Sequence, residues 1–138
     1  MRIVERNPVV SNRIGRVNRN GVKTEPGEDS TILYLTQFGF DIDLIKPTII
    51  KNMNNPDVVI MNSVWEIKTP SSSSKATIKK RFRKAADQAD RIIFDLRKIR
   101  KDPDKVKKQI IDLFSGDGKV CRMMIIEKSG RVIDFIKW

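Results

Sequence analysis

The run 55-NPDVVIMNSVWEIKTPSSSSKATIKKRFRKAADQADRIIFDL-96 decides how this chain folds. Val58–Met61 and Val64–Ile67 are short β-rich segments separated by Asn62-Ser63, and two intervening residues is the usual length of a hairpin turn. Pro70 and the four serines 71–74 then interrupt the chain. A basic helix over Lys75–Arg91 follows, with Ile78, Phe82, Ala85 and Ala89 spaced by four, three and four, so that one apolar stripe faces a core. Ile92–Leu96 (IIFDL) reads as a mostly buried strand. Residues two apart on a strand share a face, so Glu66 and Lys68 project together from the second arm of the hairpin.

Working outward, residues 29–39 (DSTILYLTQFG) have the spacing of a short helix, capped by Asp29 or Ser30 and ended by Gly39. Phe40–Leu44 alternates apolar and acidic residues, as a strand does, and Pro47–Asn55 reads as a loop. Residues 1–27 are basic and broken by Pro8, Gly15, Gly21, Pro26 and Gly27, the pattern of a partly irregular N-terminal arm. Beyond the central run, Asp104–Phe114 predicts a helix on Val106, Ile110 and Phe114. Lys119–Ile126 and Arg131–Ile136 predict a closing pair of strands. The chain contains no internal repeat, and no linker divides it, so residues 1–138 are expected to form one α/β domain.

The 138 residues carry 28 Lys+Arg against 17 Asp+Glu, a net charge of +11, with one cysteine and no histidine. The missing histidine removes Ser-His-Asp and Cys-His hydrolases, His-ligated zinc and haem held by a proximal histidine. A lone Cys121 cannot form an internal disulfide, and its apolar neighbours favour a packed core thiol. No secretory signal is visible in MRIVERNPVV, and no apolar run approaches the roughly 20 residues of a membrane span. From Lys75 to Lys101 there are 11 Lys+Arg against three Asp, a concentration of charge suited to a polyanion.

Chemistry without histidine points to carboxylates, lysines or an oxygen-held metal. Asp57 at the mouth of the hairpin, with Glu66 and Lys68 on its second strand, makes a cluster of two carboxylates and an ammonium. Two carboxylates can hold a hard divalent cation and leave positions for water and phosphate. Such a metal, Mg²⁺ or Zn²⁺, lowers the pKa of its water, and Lys68 can orient the attacking oxygen or stabilise developing charge. Thr69, Lys75, Thr77, Lys79 and Arg83 follow closely and are candidate phosphate contacts, with Gln88 a candidate hydrogen-bonding group near the metal. The same residues also describe an ordinary salt-bridged hairpin followed by a solvated helix face. Trp65 alternates with the acidic positions and belongs in a core; Tyr34 fits either a core or a substrate face. The basic run 97–108 reads as solvated surface.

Pro56-Asp57, eight residues, then Glu66-Ile67-Lys68 resembles the PD-(D/E)XK nuclease motif, and the order helix, strand, hairpin, helix, strand resembles that superfamily's core. The resemblance implies a restriction-endonuclease-like central mixed sheet flanked by helices, with Glu28 joining Asp57 and Glu66 at the metal. Residues 25–96 are more narrowly similar to the tRNA-cleaving C-terminal toxin domains of CdiA-type contact-dependent growth inhibition proteins. Trp-Glu-Ile-Lys-Thr-Pro, the serine-rich turn, Lys75-Ala76-Thr77-Ile78 and Gln88-Ala89-Asp90 carry that similarity. It implies a bacterial toxin that reaches a neighbour's cytoplasm as the C-terminal part of a secreted or surface protein, cleaves tRNA there, and is neutralised at home by an acidic immunity protein. A DNase, and a basic nucleic-acid-binding domain without catalysis, are the competing readings.

Overall fold

A computed structural model describes residues 3–6, 13–45 and 58–137. Eight strands and three helices follow one another as β1 (Ile3–Arg6), β2 (Val17–Asn18), α1 (Pro26–Thr36), β3 (Ile42–Leu44), β4 (Val58–Ile60), β5 (Ser63–Lys68), α2 (Lys75–Gln88), β6 (Arg91–Asp95), α3 (Pro103–Gly116), β7 (Arg122–Ile126) and β8 (Val132–Lys137). The strands form a single mixed sheet in the order β1-β8-β7-β6-β5-β4-β3-β2. Pairs β5–β6 and β6–β7 are parallel, bridged by α2 and α3; β3–β4, β4–β5, β7–β8 and β1–β8 are antiparallel, and β2–β3 is parallel. The expected mixed α/β class is what the chain adopts, and α1-β3-β4-β5-α2-β6 repeats the expected order of elements.

Strand alternation divides the core between the two faces of the sheet. Ile92 and Phe94 of β6, Met123 and Ile125 of β7, and Ile133 and Phe135 of β8 pack with Ile78 and Phe82 of α2 and with Val106, Ile110 and Phe114 of α3. Trp65 and Ile67 of β5, Ile93 of β6 and Met124 of β7 face the other way, onto Ile32 and Leu35 of α1. The apolar stripes read from the sequence therefore locate both helices of the first face. Trp65 is fully buried, as alternation requires, and its Nε1 donates to Ile60 O at 3.1 Å.

Several boundaries move. The N-terminal segment is not merely an irregular arm, because β1 and β2 lie at opposite edges of the sheet. Helix α1 begins at Pro26, three residues before the expected cap; proline's fixed φ suits the first helical position, and Glu28 is drawn into the first turn. The hairpin turns at Met61-Asn62, both left-handed with φ of 52° and 60°, rather than at Asn62-Ser63. Left-handed dihedrals at both central residues belong to the two-residue turn whose twist matches its strands. The shift leaves the Glu66 and Lys68 face unchanged, since strand parity alone sets it. Helix α2 ends at Gln88, so Ala89 leaves its apolar face and Ala86 joins the core instead. Cys121 precedes β7 and is half-exposed, its Sγ donating to Asp90 O; it is not the core thiol its neighbours suggested. The expected loop over Pro47–Asn55 lies outside the described residues.

Candidate nucleic-acid site

Glu66 and Lys68 share the face of β5 opposite Trp65 and Ile67, and that face is the one α2 covers. Glu66 is 3% exposed, yet its carboxylate is well supplied with donors. Lys68 Nζ stands 3.2 Å from Oε1. With the Gln88 amide turned so that both its atoms are satisfied, its nitrogen donates to Glu66 Oε1 at 2.8 Å and approaches Oε2 at 3.2 Å. The last turn of α2 thus closes over the strand that carries the acidic residue. Three of the sequence-selected residues are brought into one hydrogen-bonded unit across 22 positions of chain.

Asp57 lies outside the described residues. Glu28 lies in the first turn of α1. The first turn of α1 abuts the end of β5 so closely that a Cβ on Gly27 would stand 2.7 Å from Thr69 Oγ1 and 3.2 Å from Lys98 Nζ, and a larger residue would have to displace those side chains. Glu28, the next residue, is half-buried. Among the described residues no three His, Cys, Asp or Glu side chains stand close enough together to hold a metal. The donor chemistry still suits a hard cation, because Mg²⁺ is commonly bound by one or two carboxylates and keeps several waters and phosphate oxygens as its remaining ligands.

The outer face of α2 is cationic. Lys75, Lys79 and Arg83 are exposed along one stripe, and Thr77, Lys80, Arg81 and Lys84 line a depression of about 370 Å³ beside it. The charges run against the helix dipole: no acidic residue occupies the first turn and no basic residue the last. The dipole acts on the terminal turns and is worth a few tenths of a kcal/mol there, so it does not account for the run of lysines and arginines along the middle of α2.

A polar group that the sequence did not single out sits under α1. Asp95, 4% exposed at the end of β6, accepts from Thr31 Oγ1 at 2.6 Å and from Arg97 Nε and Nη2 at 3.0 and 2.7 Å. Arg97 also donates to Ser30 O at 3.2 Å and stacks 4.1 Å above the Tyr34 ring, while Tyr34 OH donates to Gly130 O. The Asp95 carboxylate holds Arg97 above its ordinary pKa despite partial burial. Tyr34 thus ties α1 to Arg97 and to the turn between β7 and β8. The one available signal was an aspartate closing an otherwise apolar strand, Ile92-Ile93-Phe94-Asp95.

Fold and site together define a mixed α/β domain in which a buried carboxylate–ammonium pair lies beneath a cationic helix. The sequence model of the contact-dependent growth inhibition CdiA C-terminal domain matches residues 54–132, more than half of the chain, and the chain belongs to that family of bacterial toxin domains. A solved CdiA-CT/CdiI toxin and immunity complex from Burkholderia pseudomallei has the same fold, with a TM-score of 0.67 over 89% of this chain and 100% of that one at 17% identity. No curated protein sequence matches the chain. No helix among the described residues is long and apolar enough to cross a membrane.

Proposed function

We propose that residues 1–138 form a single PD-(D/E)XK-type nuclease domain that cleaves RNA, with tRNA as its substrate, in the cytoplasm of the bacterium it enters. The observation that carries this reading is the Glu66–Lys68–Gln88 unit: a buried carboxylate with two donors, roofed by a helix whose outer face is built to meet phosphates. Burying an ion pair is a weak route to stability, because desolvation offsets most of the attraction. A chemical role accounts for its place beneath α2.

In this reading Glu66, Asp57 and Glu28 hold a divalent cation, Mg²⁺ or Zn²⁺. When bound, the ion supplies an acidified water and neutralises charge developing on the scissile phosphate. Gln88 fixes the orientation of the Glu66 carboxylate. Lys68, 3.2 Å away, directs its ammonium at the attacking oxygen or at the charge that attack creates. Thr69, Lys75, Thr77, Lys79 and Arg83 hold the phosphodiester backbone, giving affinity without sequence discrimination. An acidic immunity protein fits the same cationic surface by charge complementarity. The solved relative is a toxin in complex with an immunity protein, in keeping with such a partner here.

The test is digestion of total tRNA, and in parallel of duplex DNA, in Mg²⁺, Zn²⁺ or EDTA, with Asp57→Ala and Glu66→Gln alongside the natural chain. Metal-dependent cutting of tRNA, lost in both variants while tRNA binding survives, is the expected result. Cutting that persists in both variants overturns the assigned site, and cutting of DNA alone makes the domain a DNase. If no metal supports cleavage of either substrate, the domain is a binding module. Mapping the cut end identifies the nucleophile, since a ribose 2′-hydroxyl leaves a cyclic phosphate and water does not.

A further inference from the structure

The lysines of α3 lie outside the site just described, and the structure gives them a partner. Lys105 and Lys108 are exposed on the side of α3 that packs beside the start of α2. Together with Lys75, Gln109, Asp112 and Leu113 they line a groove of about 550 Å³ between the two helices. Gln109 Nε2 donates to Lys75 O at 2.8 Å, which fixes the beginning of α2 against α3 and sets the groove's width. Three ammonium groups from two helices therefore converge, with a single carboxylate, Asp112, among them.

We infer that this α2–α3 groove is a second phosphate-backbone contact, gripping a part of the RNA well removed from the bond that is cut. The inference rests on the nuclease reading for its substrate, but not for its test. Gln88, which touches Glu66, and Lys75, which lines the groove, are the last and first residues of α2. At about 1.5 Å per residue they are roughly 20 Å apart, close to six stacked nucleotide steps at about 3.4 Å each. A dinucleotide, stacked or extended, reaches only one of the two places; a folded RNA reaches both. The lining also selects a nucleic acid over a protein. Protein interfaces are enriched in aromatic residues, Met and Arg and depleted in Lys, whereas this groove offers three lysines against one carboxylate, with an amide and one half-buried leucine.

The experiment measures binding, not cleavage. Labelled tRNA and a dinucleotide fragment of it are titrated across a KCl series with the Glu66→Gln chain, which separates binding from cutting. The same background then receives Lys105→Glu/Lys108→Glu or, as a control of equal charge change, Arg16→Glu/Lys23→Glu. The groove pair is expected to weaken tRNA binding about tenfold or more and to flatten the log–log salt dependence by between about 1.4 and 1.8, the loss of two phosphate contacts. The fragment's affinity should move no more than in the control. Equal losses in groove and control variants overturn the inference, because net charge alone then explains them. So does an equal loss for fragment and tRNA, and so does unaltered tRNA binding in the groove variant. Failure of the natural chain to cut tRNA, with the groove effect intact, instead sinks the nuclease reading and leaves the contact standing.

Discussion

The two faces of the sheet solve different problems with the same kinds of residue. On the α1 face, charge is turned inward: Asp95 is buried and satisfied by Thr31 and Arg97, and α1 itself carries Glu28 and Asp29 with no basic residue. On the α2–α3 face, charge is turned outward, with six Lys+Arg against one Asp in α2 arranged contrary to the helix dipole. One carboxylate of this second face, Glu66, is buried at the seam between strand and helix. A carboxylate fully enclosed by its partners braces a fold. Glu66, 3% exposed, is as enclosed as Asp95 at 4%, but the helix above it turns its cations outward. The contrast teaches that burial and ion pairing do not identify a site until the surrounding surface is considered.

Three perturbations break or sharpen this contrast. The largest effect is expected from Lys68→Met, which leaves a side chain of similar length without its ammonium. Cleavage of tRNA per folded molecule should fall about 10²–10³-fold, as when one group stabilising transition-state charge is removed, and stability should fall as well, because Glu66 is left buried without its cation. A large loss of stability with unaltered cleavage per folded molecule would put Lys68 with the braces. Asp95→Ala should affect stability alone. It strands Arg97 and Thr31 and should cost about 3 kcal/mol by urea denaturation, while leaving tRNA affinity in the folded protein unchanged. The smallest effect concerns Asp29. Hydrogen bonds from Arg19 and Thr24 hold its carboxyl below the ordinary value of 3.8. Because the folded pKa is the lower one, its contribution is complete above 3.8 and is lost as pH falls through the folded value. An NMR titration should place its midpoint below 3.8, and Arg19→Ala should return it towards that figure.

Much of this architecture was legible in the chain. The spacing of Ile78, Phe82 and Ala85, and of Val106, Ile110 and Phe114, located the two basic-face helices because a 3.6-residue period survives any tertiary context. Strand parity placed Trp65 inside and set Glu66 and Lys68 on one face. The positions that moved were those whose conformation depends on a distant partner. Val17–Asn18 forms a strand only because β3 offers it an edge, and four residues near the N-terminus form another only because β8 does. Cys121 missed the core because its neighbour Val120 takes the buried position ahead of β7. Asp95 was passed over because an acidic residue ending an apolar strand acquires meaning only when Thr31 and Arg97 are seen beside it.

By itself the sequence determined the elements, their order, the parity of β5 and the chemistry open to a chain with no histidine, since all of these are local or compositional. Tertiary structure alone decided that Gln88 meets Glu66 across 22 residues, that Gly27 brings α1 to Thr69, and that α2 and α3 bring their lysines to one groove. Those are long-range encounters. They are fixed by which apolar faces pack against which side of the sheet, and no periodicity records that choice.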